Sequence, residues 1–149
     1  PEGKGLWPAL WMLGSNFQQA GWPACGEIDI MELIGSQPGR VFGTVHYGDS
    51  PAQHQEKSAS RALGGGAKFS EEFHVFSLEW EENSIRWYLD DVLFHEVTPA
   101  ILVNGQPWPF NQPFFFIFNV SVGGNWPVIP DASTRFPQRM IVDYVRVFE

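Results

Sequence analysis

The chain has 149 residues, with 9 Lys or Arg against 17 Asp or Glu and a formal charge of −8. Net acidity argues against a nucleic-acid binder, which needs a cationic face to displace counterions, and disfavours polyanionic substrates, so a neutral ligand fits best. A chain that is 44% hydrophobic and 17% charged is neither disordered nor collagen-like, and its apolar run Phe114–Phe118 falls far below the ~18 residues of a membrane helix.

Aromatic residues make up 15% of the chain, and 15 Gly and 12 Pro punctuate it. Aromatics favour pleated surfaces while Gly and Pro break helices, which predicts an all-β fold. Short apolar runs bounded by turn residues predict strands over 6–13, 27–34, 40–47, 74–81, 84–89, 92–97, 113–122 and 140–148. The first strand opens almost at residue 1 without a preceding hairpin partner. Its second neighbour must therefore come from elsewhere in the chain or from a larger domain, because soluble proteins cover sheet edges. Cys25, alone and beside apolar neighbours, reads as a small buried hydrophobe. Gly64-Gly65-Gly66 marks a surface loop, and Ser70-Glu71-Glu72 is expected to cap one helical turn. Glu82-Asn83 and Asp90-Asp91 read as hairpin tips, since Asn and Asp tolerate the left-handed conformation. No repeat or composition shift divides the chain, and about 150 residues suffice for one core.

The stretch Gly26-Glu27-Ile28-Asp29-Ile30-Met31-Glu32 carries the chemistry. Strand alternation puts Glu27 and Asp29 on one face and Ile28 and Ile30 on the other. Glu32 breaks that alternation, and one extra residue in a β-bulge at Ile30-Met31 returns it to the acidic face. Glu27 and Glu32 then lie two pleats apart, about 13 Å between Cα atoms at ~3.3 Å per residue. Side chains leaning inward by roughly 3.5–4 Å each leave about 5–6 Å between carboxyl groups, near the retaining-glycosidase spacing and short of the ~6.5–9.5 Å of inverting enzymes. Crowding three carboxyls keeps one protonated near neutrality, and that proton is expected on Glu32. The spacing alone leaves a solvated acidic face, part of a calcium site and a catalytic set as alternatives. Likewise, Trp7 and Trp11, four apart on one strand face, read from spacing as core.

The order of motifs narrows these alternatives. Leu6-Trp7-Pro8-Ala9-Leu10-Trp11-Met12, the acidic stretch, Gly43-Thr44-Val45-His46-Tyr47, Ile85-Arg86-Trp87-Tyr88, Asn119-Val120-Ser121-Val122-Gly123-Gly124-Asn125-Trp126-Pro127 and Val142-Asp143-Tyr144-Val145 together resemble glycoside hydrolase family 16. The laminarinase-like (endo-β-1,3-glucanase) branch matches best, since its acidic motif carries the extra residue that the lichenase branch lacks. The resemblance implies a jelly-roll β-sandwich of two antiparallel sheets with a glycan cleft across one of them. Family domains extend upstream of the Trp7 strand, so residues 1–149 are expected to be a partial catalytic domain, incomplete at the N-terminus.

By that resemblance Glu27 is the nucleophile, Asp29 the assisting carboxylate and Glu32 the acid/base. The resemblance also puts Trp7 and Trp11 beside the sugar sites and His46 in the cleft. From position, Asn119 faces away from the apolar sheet core toward sugar hydroxyls. Trp22 and Trp126, each before Pro in a Gly-rich loop, read as rim platforms for sugar rings, and Trp108 reads as loop packing. His54, His74 and His95 show no metal-ligand spacing and are expected to carry nothing. Asp143 matches a structural-calcium position, and catalysis needs no cofactor. The implied activity is retaining endo-hydrolysis of internal β-1,3 bonds in laminarin-type β-glucans by a protein that is monomeric when complete. A polymeric substrate places it outside the cell, extracellular or periplasmic. The alternatives are a non-catalytic β-glucan-binding lectin-like module and a family relative acting on mixed-linkage glucan or galactans.

Overall fold

The central strands β1 (Leu6–Gly14), β2 (Glu27–Leu33) and β3 (Arg40–Tyr47) bury Leu6, Met12, Ile28, Val41 and Val45. In the computed structural model, which describes residues 1–103 and 105–148, these strands join β4 (Gln55–Ala62) and β8 (Phe114–Val122). The five make an antiparallel sheet in the order β4-β3-β2-β1-β8. A second antiparallel sheet runs β5-β6-β7, from β5 (Phe76–Glu81), β6 (Ser84–Leu89) and β7 (Val92–Val97). The chain is thus all-β in two antiparallel sheets, as the composition predicts.

The first strand finds its second neighbour within the chain, because β8 pairs along the whole length of β1. The β6–β7 hairpin turns at Asp90 and Asp91, both left-handed with φ of 49° and 64°, matching the expected tip. Glu82-Asn83 turns between β5 and β6. Residues 70–72 belong to a turn closed by the Glu71 N–H on the Lys68 carbonyl, 3.1 Å, and not to a helix. Cys25 is buried and free.

The core lies between the sheets. Ile28, Ile30, Val45 and Tyr47 of the larger sheet pack with Ile85, Trp87 and Val97 of the smaller one, while Met31, Leu33 and Val41 pack with Leu89. Trp87 is fully buried and sits under Gly43 of β3, where a Cβ would come within 2.5 Å of its ring. Glycine is required there by close approach.

Two elements depart from the sequence-based expectation. Residues 140–148 form no strand, and Ile141, Tyr144, Val147 and Phe148 are exposed. Alternating apolar residues make a strand only against a partner, and none pairs with this segment among the described residues. Conversely, β4 forms from Gln-Glu-Lys-Ser-Ala-Ser-Arg-Ala, without a β-branched or aromatic residue, because every residue of β3 pairs with it.

Candidate active site

The bulge sits where the acidic pattern places it. Across β3, Asp29 pairs with Thr44 and Glu32 with Phe42, so three steps on β2 match two on its neighbour. Across β1, Met31 pairs with Leu10 and Asp29 with Trp11, leaving Ile30 as the extra residue. Both Ile30 and Met31 turn into the core. That double inward turn restores Glu32 to the face of Glu27 and Asp29. The smaller sheet holds the strand there, since Trp87 Nε1 donates to the Asp29 carbonyl at 2.8 Å, just before the extra residue.

The face so formed lines a cleft of about 520 Å³ with Trp7, Trp22, Glu27, Glu32, Phe42, Thr44, His46, His54, Glu56, Ser58 and Trp126. Trp22 stands at the Glu27 end, stacked obliquely on His54 with ring centroids 4.7 Å apart. Trp126 stands at the Glu32 end, edge-on to Trp7 at 5.2 Å and to Phe42 at 5.0 Å. Both are about two-fifths exposed, which leaves ring area for the apolar faces of a ligand.

The indole N–H groups of Trp7 and Trp22 are committed to the site, and that of Trp11 to a contact beside it. Trp22 Nε1 donates to Glu27 Oε2 at 2.6 Å, Trp7 Nε1 to Glu32 Oε1 at 3.0 Å, and Trp11 Nε1 to Asn119 Oδ1 at 2.7 Å. Asn119 in turn donates to Ser121 Oγ at 2.8 Å. Trp11 and Asn119 lie outside the residues that line the cleft, where they tie β1 to β8. Thr44 Oγ1 donates to Glu32 Oε2 at 3.3 Å.

Burial sets the protonation pattern. Glu32 is 6% exposed, and loss of hydration, followed by the charge of Asp29, raises its carboxyl from 4.5 to about 8. The Trp7 hydrogen bond opposes that rise. Asp29, 2% exposed, is raised well above the carboxylate range, first by burial and then by the charge of Glu27 and a hydrogen bond between the two carboxyls. At neutral pH Glu32 therefore holds its proton. His46 Nε2 lies 3.2 Å from Asp29 Oδ2, yet no hydrogen-bond donor is aligned with that oxygen.

Glu27, Glu32, Trp7, Trp22, His46 and Trp126 thus meet in one cleft, with Asp29 buried behind them. Trp108 packs edge-on to Phe110 at 4.7 Å, away from the cleft. His74 pairs with Asp90 at 2.7 Å, and His95 stacks on Trp87, so both are structural. His54 corrects the sequence-based expectation. It lines the cleft, with Nε2 2.8 Å from His46 Nδ1. Glu56 and Ser58 are missed because β4 carries no strand signal of its own. Asp143 lies exposed in the irregular C-terminal segment and joins neither group of three metal-ligating side chains among the described residues. One exposed carboxylate does not fit the 6–8 oxygens that calcium needs.

A family model for glycosyl hydrolases family 16 matches residues 1–146. Over all of its length the chain is 41% identical to glucan endo-1,3-beta-glucosidase A1 of Niallia circulans, spanning 23% of that protein. The crystal structure of endo-beta-1,3-glucanase from Pyrococcus furiosus superposes with a TM-score of 0.83 at 48% identity, over 92% of this chain and 52% of that one. A LamA variant from Z. galactanivorans, solved in complex with laminaritriose and laminaritetraose, superposes with a TM-score of 0.73 at 33% identity, over 90% of this chain and 56% of that one. The chain therefore spans about half of each of these two structures and less of the Niallia protein.

Proposed function

From the premise that the chain belongs to glycosyl hydrolase family 16, we propose that it carries the catalytic strand of a retaining endo-β-1,3-glucanase acting on laminarin-type β-glucans. The observation that carries this reading is the bulge, which brings an acid buried at 6% exposure and raised to about 8 onto the cleft face of Glu27. A carboxyl that keeps its proton at neutral pH serves as a general acid.

In the proposed mechanism Glu27 attacks the anomeric carbon while Glu32 protonates the departing glycosidic oxygen. The resulting glycosyl-enzyme is then hydrolysed by a water that Glu32 deprotonates. Trp22 Nε1, 2.6 Å from Glu27 Oε2, holds that carboxyl in one orientation. Burial raises the Asp29 carboxyl and favours its neutral form, which limits the negative charge gathered on the strand. The exposed faces of Trp22 and Trp126, at opposite ends of the cleft, stack on sugar rings either side of the cleaved bond. An open cleft suits internal cleavage, and a polymeric substrate implies work outside the cell.

The test is the product time course from laminarin, with proton NMR of the anomer first released. Retention gives the β-anomer before mutarotation, and endo-action gives a ladder of oligosaccharides. Glu27→Gln and Glu32→Gln are each expected to lose activity by a factor of 10³ or more while still binding glucan. Wild-type hydrolysis by either variant, or first release of the α-anomer, overturns the assignment.

A further inference from the structure

Beside the carboxyls, a second group of side chains is assembled around His46, at the edge of the cleft. His46 on β3 and Glu56 on β4 are cross-strand partners, so their side chains share the cleft face. His54, two residues before Glu56, turns onto the same spot. His46 Nδ1 is 2.8 Å from His54 Nε2 and 3.8 Å from Glu56 Oε2. The three ligand atoms all lie within 4.8 Å of one another.

We propose that His46, His54 and Glu56 form a binding site for one divalent transition-metal ion of the zinc class. Two imidazoles and one carboxylate are the donor set of open zinc sites, with water in the fourth position, and nitrogen donors discriminate against calcium and magnesium. Tetrahedral bonds of ~2.0–2.1 Å need the two ring nitrogens about 3.3 Å apart. The 2.8 Å pair must therefore open by roughly half an ångström, a side-chain adjustment at an edge strand.

A second observation points the same way. His46 with Nδ1 on a metal must carry its proton on Nε2, the nitrogen that faces Asp29 Oδ2 at 3.2 Å. That oxygen is buried and has no hydrogen-bond partner. A small turn of the ring gives it one, completing the carboxylate–histidine–metal relay that orients ligating histidines. Trp22 covers His54 from one side, and the exposed Glu56 leaves an entry path from solvent.

The competing position is Glu27, Asp29 and His46 through Nε2, whose ligand atoms also fall within 4.8 Å. It is disfavoured because Asp29 is buried, which closes its carboxylate off from an ion entering from solvent. Because the proposed site sits next to Glu27, its occupation would block the cleft reversibly. That consequence rests on the hydrolase reading above, whereas metal binding does not.

The experiment is a Zn2+ titration of the chain by calorimetry without glucan, with Co2+ as a spectroscopic substitute. One ion per chain is expected, with the visible absorption of four-coordinate Co2+, and no binding of Ca2+ or Mg2+. His54→Ala and Glu56→Gln, two independent surface changes, are each expected to weaken Zn2+ at least tenfold with the circular dichroism unaltered. Failure of the wild-type chain to bind Zn2+, or undiminished affinity in the His54 variant, overturns the site. The latter result assigns the ion to Glu27 and Asp29 instead. Loss of laminarin hydrolysis on adding Zn2+, restored by a chelator, would extend the proposal to inhibition.

Discussion

Trp87, in the middle of the smaller sheet, donates its indole N–H to the backbone carbonyl of Asp29 across the core at 2.8 Å. The contact joins the two sheets at the residue preceding the bulge, so the opposing layer helps fix where Glu32 points. Replacing Trp87 by Phe removes the donor, leaves a buried carbonyl unpaired and opens a void. The expected cost is about 2–4 kcal/mol, read as a lower denaturant midpoint. Turnover should fall more than glucan affinity, because the aromatic platforms remain while the acid loses its support. A variant with the wild-type midpoint and turnover would show that the bulge holds its own shape.

Gly43 makes that contact sterically available. A Cβ on residue 43 would stand 2.5 Å from Trp87 Cδ1 and 2.9 Å from Cγ, closer than packed atoms approach. Gly43→Ala must therefore push the indole away or spread β3 from the core, at an expected ~1–3 kcal/mol. Thermal unfolding checks this, with Gly64→Ala as the comparison, since nothing lies within 4 Å of a Cβ there. Equal stability of the two variants would contradict the close approach.

Much of this site is legible in the sequence, for a physical reason. Three carboxylates that violate strand alternation by one residue have few ways to share a face, and a bulge at Ile30-Met31 is the simplest. The registers on both sides of β2 contain that extra residue. What alternation cannot report is pairing. Strand β4 carries no β-branched or aromatic residue and exists because β3 templates it, which hides Glu56, Ser58 and, just before the strand, the place of His54. Residues 140–148 alternate well and yet pair with nothing among the described residues. The hydrogen bonds of the indoles were equally invisible. By resemblance Trp7 and Trp11 flank sugar sites, and Trp22 reads as a further substrate contact. Yet Trp7 and Trp22 each give their N–H to a carboxylate of the site, and Trp11 gives its own to Asn119 outside the cleft.

Glu32 should make the fold less stable as pH rises. Its folded-state pKa of about 8 lies above the ordinary 4.5, so the folded chain holds a proton that the unfolded chain releases. Stability contributed by the protonated form is complete below about 4.5 and is lost as pH climbs through about 8. The span corresponds to a few kcal/mol at ~1.4 kcal/mol per pKa unit. Glu32→Gln keeps a neutral side chain of the same shape at every pH. It should match the wild type near pH 5, exceed it at pH 9 and be inactive at both. Parallel stability profiles for the two proteins would mean that Glu32 titrates normally.

Trp7 tunes the same proton in the opposite direction. Its N–H donates to Glu32 Oε1 at 3.0 Å and favours the ionised carboxylate, holding the acid below the value that burial alone would set. Phe at position 7 keeps an aromatic face toward the cleft and removes only that donor. The carboxyl should then hold its proton to higher pH. If Glu32 is the general acid, the alkaline limb of kcat, set where it loses its proton, moves upward by a fraction of a pH unit to about one unit. The rate at neutral pH should fall, because a weaker acid transfers its proton less readily to the leaving oxygen. A pH–rate profile of Trp7→Phe beside the wild type reads both effects. An unmoved limb would detach the limiting ionisation from Glu32, and a downward shift would mean that the indole supports the neutral acid.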